Sequence, residues 1–193
     1  VQEHLGEVST RLKKLIKKHQ HILLEAPTGT GKTFSMLNDI LLDYHQAIFV
    51  MPTQLQARQI EKSYALPTLY ADKVLSKEDT KSQILISTYD KIEQIIDFDL
   101  CDMIVLDEMH LLVEQYNFRT KALNSIQKII KKAAQKGIKI IYMSATPNVE
   151  LSQLWHHEFK HIKVQRQDNP QVHIQPFEYS GQAQEVLLDF IKN

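Results

Sequence analysis

Apolar residues in this chain fall into short unbroken runs, separated by longer stretches in which they recur every three or four positions. Runs at Ile22 to Glu25, Ala47 to Met51, Ile84 to Ser87, Met103 to Leu106 and Ile138 to Met143 are bounded by polar or turn residues, the pattern of strands buried on both faces. Between them lie helical patterns. The clearest runs from Lys121 to Lys136, with Leu123, Ile126, Ile129, Ile130, Ala133 and Ala134 in one stripe and Lys128, Lys131, Lys132 and Lys136 largely opposite; Gly137 is a natural stop. An earlier helix is expected from Leu5 to His19, with Leu12, Leu15 and Ile16 inward and Lys13, Lys14, Lys17 and Lys18 on a solvated face. Strands alternating with helices predict an α/β fold, doubly wound around a mainly parallel central sheet.

Beyond about Asn148 the alternation weakens. Leu151 to His161 reads as a short helix, Ile162 to Gln165 and Val172 to Phe177 as edge strands around Asp168-Asn169-Pro170, and Gln182 to Lys192 as the start of another helix. The expected division is therefore a domain at 1–150 and a tail at 151–193.

The chemistry concentrates where two of the predicted strands end. Ala26-Pro27-Thr28-Gly29-Thr30-Gly31-Lys32-Thr33 follows the first strand and opens a helix expected from Lys32 to Tyr44. Gly29 and Gly31 let the backbone curl so that successive N–H groups point at a phosphate, and the helix start adds its positive partial charge. Lys32 can reach β and γ oxygens, and the Thr33 hydroxyl can ligate Mg2+. Ala26 stands where the strict pattern has a first glycine, so context must support the match. It does so at the end of the Met103 to Leu106 strand, where Asp107 and Glu108 place two adjacent carboxylates at the edge where open α/β sheets bind ligands. Asp107 would hold Mg2+, and Glu108 would orient and deprotonate the water that attacks a γ-phosphate.

With both sites in place the chain resembles the superfamily 2 helicases of the DExH type over nearly the whole of Gln2 to Pro147. Ala26 to Thr33 is similar to their motif I, Asp107-Glu108-Met109-His110 to motif II and Ser144-Ala145-Thr146 to motif III. Phe49-Val50-Met51-Pro52-Thr53-Gln54 is similar to motif Ia and Ser87-Thr88-Tyr89-Asp90 to motif Ib. The resemblance implies a P-loop NTPase (RecA-like) three-layer fold that binds ATP and Mg2+. Pro27, Thr28, Gly29, Thr30, Gly31, Lys32 and Thr33 would hold the phosphates, and Gln2 lies where some members read adenine. Lys32, Asp107 and Glu108 would be catalytic, and His110, Ser144 and Thr146 would link the nucleotide to the nucleic-acid surface. Pro52, Thr53, Gln54, Ser87 and Thr88 would line that surface. Thr53 and Thr88 follow strands and begin helices, so their hydroxyls either cap those helices or bind backbone phosphates.

Composition bounds the partners. Among 193 residues, 23 basic and 23 acidic side chains give a formal charge of +0, so any nucleic-acid contact must be local. Cys101 is the only cysteine, which leaves no disulfide framework and favours a reducing, cytoplasmic setting; it is expected to be a small buried residue. His19 with His21, and His156 with His157, lack metal-ligand spacing, and Trp155 and Phe159 are expected to pack. The chain starts at Val1 without a signal peptide's apolar core, and the missing methionine suggests an excised or processed segment.

The family's motor has two RecA-like lobes, and the second supplies arginines to the γ-phosphate. Arg166 is the only arginine after Pro147 and lacks the flanking pattern. An arginine finger is worth about 10³ to 10⁵ in rate, so the chain alone is expected to bind nucleotide and hydrolyse it very slowly. The expected function is the first lobe of an ATP-dependent helicase or translocase acting on single-stranded nucleic acid, DNA ahead of RNA. Two alternatives remain: a double-strand translocase of a restriction, CRISPR-associated or remodelling system, and a nucleotide-gated binding module without turnover.

Overall fold

A computed structural model describes residues 6–114, 116–146 and 159–164. Seven strands form one sheet in the order β3-β4-β2-β5-β6-β1-β7, and every pairing is parallel. In chain order they are β1 (His21–Glu25), β2 (Ala47–Met51), β3 (Thr68–Leu69), β4 (Ile84–Thr88), β5 (Met103–Leu106), β6 (Lys139–Ser144) and β7 (Lys160–Lys163). The helices are α1 (Gly6–Lys18), α2 (Lys32–Ser35), α3 (Gln54–Tyr64), α4 (Met109–Glu114) and α5 (Tyr116–Gln135). The helix expected from Lys32 to Tyr44 is continuous but irregular: α2 passes into a wider π turn at Met36–Ile40, then a 3-10 turn at Leu41–Asp43, and Tyr44 is extended.

Alternation along the strands sorts their side chains into two cores, because successive residues of a strand face opposite sides of the sheet. On one side Ile48, Val50, Ile104, Leu106, Ile140 and Tyr142 pack with Leu123, Ile126, Ile130 and Ala133 of α5. On the other, Phe49, Met51, Val105, Ile141 and Met143 pack with Leu12 and Ile16 of α1 and with Met36, Leu37, Ile40 and Leu41. The result is the expected three-layer arrangement. Each fully buried Leu or Ile contributes about 1.5–3 kcal/mol of transfer free energy, so both helical layers are held by their apolar stripes.

The register brings the strand ends level. Glu25 pairs with Ser144, Met51 with Thr88, and Leu69 with Ser87. The loops leaving β1, β2, β3, β4, β5 and β6 therefore emerge along one edge, where the motif residues sit.

Several expectations change. β3 was not anticipated, since two residues carry no periodicity; it exists because Thr68 and Leu69 complete the flank of β4. Lys160 and His161 were expected to end a helix beginning at Leu151, yet they begin a strand that pairs with β1. That pairing carries the sheet past residue 150, where the domain was expected to end. α5 starts at Tyr116, ahead of the expected Lys121. The elements expected at Val172 to Phe177 and Gln182 to Lys192 lie outside the described residues, as do Gln2, Trp155, His156 and His157. Among the described residues no helix is long and apolar enough to cross a membrane.

Candidate nucleotide site

The phosphate cradle is anchored at both ends by main-chain bonds. Ala26 N donates to Ser144 O at 3.1 Å, continuing the β1–β6 ladder, and Ser35 N donates to Gly31 O at 2.9 Å, closing the first turn of α2. Between them Gly29 and Gly31 take φ of 76° and 77°, the left-handed region that only glycine enters without strain. A Cβ built at Gly31 meets nothing within 4 Å, so glycine is required there by conformation and not by crowding. Thr30 folds inward, its hydroxyl donating to Pro27 O at 2.8 Å, and is buried. Pro27, Thr28, Gly29 and Gly31 remain exposed, and Thr33 is half-buried, so the cradle is open to a ligand.

Lys32 lies beneath this loop and is buried. Its ammonium donates to Ala26 O at 2.6 Å and to Pro27 O at 3.5 Å, and stands 3.6 Å from Glu108 Oε1. The lysine thus joins the cradle at the end of β1 to the carboxylates at the end of β5, two strands away in the sheet.

Asp107 continues β5: its N–H donates to Val50 O at 2.9 Å, and its carbonyl accepts from the Tyr89 hydroxyl at 2.7 Å. Its side chain is 5% exposed, and Oδ1 has no hydrogen-bond partner. Burial, with the neighbouring charge of Glu108 adding to it, pushes the carboxyl from its ordinary range up to about 7, against the pull of Lys32. A buried carboxylate oxygen without a donor is costly unless a cation satisfies it, so the residue fits the expected Mg2+ ligand.

Glu108 has φ of 45° although it is not glycine, a strain of about 1–2 kcal/mol. That turn brings its carboxylate back over the sheet edge, where Oε2 accepts from Ala145 N at 3.4 Å and lies 3.3 Å from His110 Nδ1. His110 Nδ1 also shares a hydrogen bond with Ser144 Oγ at 2.9 Å, and that oxygen accepts from Thr146 N at 3.1 Å. The expected coupling residues therefore form one connected group. It reaches from Glu108 through His110 to Ser144 and Thr146, and from Ser144 O back to Ala26.

The expected nucleic-acid residues divide. Thr53 is exposed and caps α3, its hydroxyl oxygen accepting from Gln56 N at 3.2 Å while donating to Gln56 Oε1 at 2.8 Å; Gln54 is exposed beside it. Pro52 is buried at the end of β2. Ser87 and Thr88 are also buried, and the Ser87 hydroxyl donates to Thr88 O at 3.0 Å. Thr88 ends β4 and begins no helix, only a turn before the single 3-10 turn Ile92–Gln94. The cause is position: β4 is an internal strand covered on both faces, so its last residues serve the sheet and present no side chain to a ligand.

Two features escaped the motifs. Tyr89 lies beside Thr88 in the motif Ib stretch, and its hydroxyl ties β4's end to Asp107. Glu25, the residue before the cradle, accepts from Lys163 at 2.7 Å and His161 at 2.9 Å, which lowers its carboxyl and locks β7 beside the loop. Elsewhere Cys101 is buried, its thiol pushed up to about 12 by desolvation, and His21 hydrogen-bonds Tyr142 with Phe159 packed edge-on to that ring at 4.8 Å.

A family model described as the type III restriction enzyme, res subunit, matches residues 2–149. The provisionally named helicase 7 of the Sulfolobus islandicus filamentous virus is 26% identical over 153 residues, covering 70% of this chain and 25% of that protein. An uncharacterized protein of Methanocaldococcus jannaschii is 25% identical over 154 residues, covering 66% of this chain and 12% of its own length. Among solved structures, the Escherichia coli DEAH/RHA helicase HrpB superposes with a TM-score of 0.62 at 21% identity, over 86% of this chain and 23% of that one. The DEAD-box helicase Mss116, bound to ssRNA and UDP-BeF, superposes with a TM-score of 0.61 at 22% identity, over 90% and 45%. The two structures share the RecA-like fold. The chain spans a quarter or less of the curated relatives it matches.

Proposed function

The chain belongs to the ResIII family, type III restriction enzyme res subunit, and from that premise we propose that it is the ATP-binding lobe of a DExH-type nucleic-acid motor. The observation that carries this reading is the convergence of Lys32, Asp107 and Glu108 at one sheet edge, with Asp107 Oδ1 buried and unmatched. A structural ion-pair cluster would leave no such oxygen.

In this reading the main chain of Thr28 to Lys32 wraps the β-phosphate, and Lys32 turns its ammonium towards the β and γ oxygens. Mg2+ held by Asp107 and Thr33 would neutralise those oxygens as charge develops. Glu108 holds the attacking water and takes its proton; Ala145 N and His110 aim the carboxylate, so its geometry follows that of the Ser144 to Thr146 loop. His110, Ser144 and Thr146 then transmit the state of the nucleotide to the loops that hold the strand. Thr53 and Gln54 contact the strand from the exposed start of α3, while Pro52, Ser87 and Thr88 shape that ledge from beneath. A second RecA-like lobe, in the longer polypeptide of which this chain is a part, completes the γ-phosphate site with arginine.

The strand is single, with DNA placed ahead of RNA; the Mss116 structure with ssRNA keeps an RNA arm in the test. The restriction-enzyme description of the family favours, as a second reading, a translocase on duplex DNA. Phosphate release by the longer protein, measured with single-stranded DNA, single-stranded RNA and duplex, separates these readings, and displacement from a forked duplex separates unwinding from translocation. Lys32→Ala is expected to abolish nucleotide binding, whereas Glu108→Gln keeps binding and stops turnover. Normal turnover by the Glu108→Gln protein would sink the assignment of the base.

A further inference from the structure

Phosphate contacts supply most of the affinity of a protein for a nucleic-acid strand, and they are made chiefly by cations. None of Pro52, Thr53, Gln54, Ser87 and Thr88 carries a charge. Arg58 stands on the same edge. It lies on α3 one turn beyond Gln54, is exposed, and places its guanidinium carbon 5.2 Å from the centre of the Tyr70 ring. Tyr70 is the first residue after β3, whose Leu69 pairs with Ser87, so the ring sits at the level of the strand ends that hold the motif loops.

The surroundings leave Arg58 free to act. The Tyr70 hydroxyl donates to Glu61 Oε2 at 3.0 Å, which fixes the ring. The other oxygen of Glu61 is paired with Lys73, whose ammonium also lies 5.7 Å from the ring centre. Glu61 is thereby neutralised by Lys73, and among the described residues no carboxylate lies within ion-pair distance of Arg58. A guanidinium on an aromatic face keeps its N–H groups directed outward around its rim, and the ring restrains the long side chain before any ligand arrives. Those two properties suit a phosphodiester: a fork of donors matches two phosphate oxygens, and little side-chain entropy is lost on contact.

We propose that Arg58, held on the Tyr70 ring, grips the phosphate backbone of the strand as it passes over the ends of β2, β4 and β3. The proposal rests on the motor reading above and assigns the cation that its motif residues lack.

The test uses the chain itself, labelled oligo-dT and oligo-rU, and fluorescence anisotropy over a series of salt concentrations, with nucleotide affinity measured in parallel. Arg58→Gln should weaken both oligonucleotides roughly five- to tenfold and reduce the slope of log affinity against log salt by about 0.7, one single-strand phosphate contact. Tyr70→Leu should weaken them in the same direction, Tyr70→Phe should retain most of the affinity because the ring remains, and nucleotide affinity should not change. Arg58→Gln binding with unchanged affinity and slope would overturn the proposal, and so would a parallel loss of nucleotide affinity. Loss of binding to an acidic peptide with oligonucleotide binding intact would reassign the surface to a protein partner and overturn it too. Should the parent chain bind nucleotide but no strand of any kind, the motor reading itself fails first.

Discussion

Replacing Asp107 by asparagine isolates the energetic cost of placing the candidate metal ligand. Asp107 is buried, with its carboxyl pushed from 3.8 up to about 7. Between those values the folded chain holds a proton that the unfolded chain has released, so stability falls as pH rises through this window. Each pH unit removes about 1.4 kcal/mol, and the whole interval amounts to roughly 4 kcal/mol, present as stabilisation by the neutral acid below pH 4 and gone above pH 7. Asparagine is nearly isosteric and never ionises. The Asp107→Asn chain should therefore match the parent near pH 4 and exceed it increasingly up to pH 7 to 8. For a domain of this size about 4 kcal/mol corresponds to a rise of roughly 8–16 °C in melting temperature. Urea unfolding of both chains, without metal or nucleotide, at several pH values from 4 to 8 checks this; only their difference matters, since other carboxyls titrate in both. A difference that stays constant across the range would refute the argument, because then neither burial nor Glu108 is acting on the charge of Asp107. The same variant should lose Mg2+-dependent nucleotide affinity, so its gain in stability is expected at the cost of function.

Two further predictions follow from the loops. Gly31→Ala should lose about 1 kcal/mol of stability, since a left-handed alanine is strained although its Cβ meets no atom, and calorimetric titration should register a larger loss of nucleotide affinity, because relaxing that strain would turn the cradle's N–H groups away from a phosphate. Tyr89→Phe should cost about 1 kcal/mol in urea unfolding by leaving the Asp107 carbonyl without its donor, and a variant as stable as the parent would mean that water replaces the hydroxyl.

The parts of the molecule that depend on local pattern were readable beforehand. Five strands and α1, α3 and α5 announced themselves through apolar runs, helical stripes and a capping threonine, and the cradle and the carboxylate pair through spacing of chemically distinctive residues. What was misjudged depended on neighbours. Thr68 and Leu69 form a strand only because β4 offers an open flank, and Lys160 and His161 leave the helical pattern because the edge of β1 accepts them, with the carboxylate of Glu25 holding His161. Ser87 and Thr88 looked available as hydroxyl donors, but an internal position in the sheet turned them inward.

Sequence alone determined the alternation of strands and helices and marked out the residues proposed to bind phosphate and metal, because each rests on residue type and spacing within a few positions. Tertiary structure decided which of those residues meet. Parallel pairing at a common register carries Lys32 to within 3.6 Å of Glu108 and hangs His110 on Ser144 across 34 positions of chain. The same edge sets Arg58 on Tyr70, and burial leaves Asp107 with an unmatched oxygen. Distance and dielectric environment are properties of the packed sheet, and no short stretch of the chain contains them.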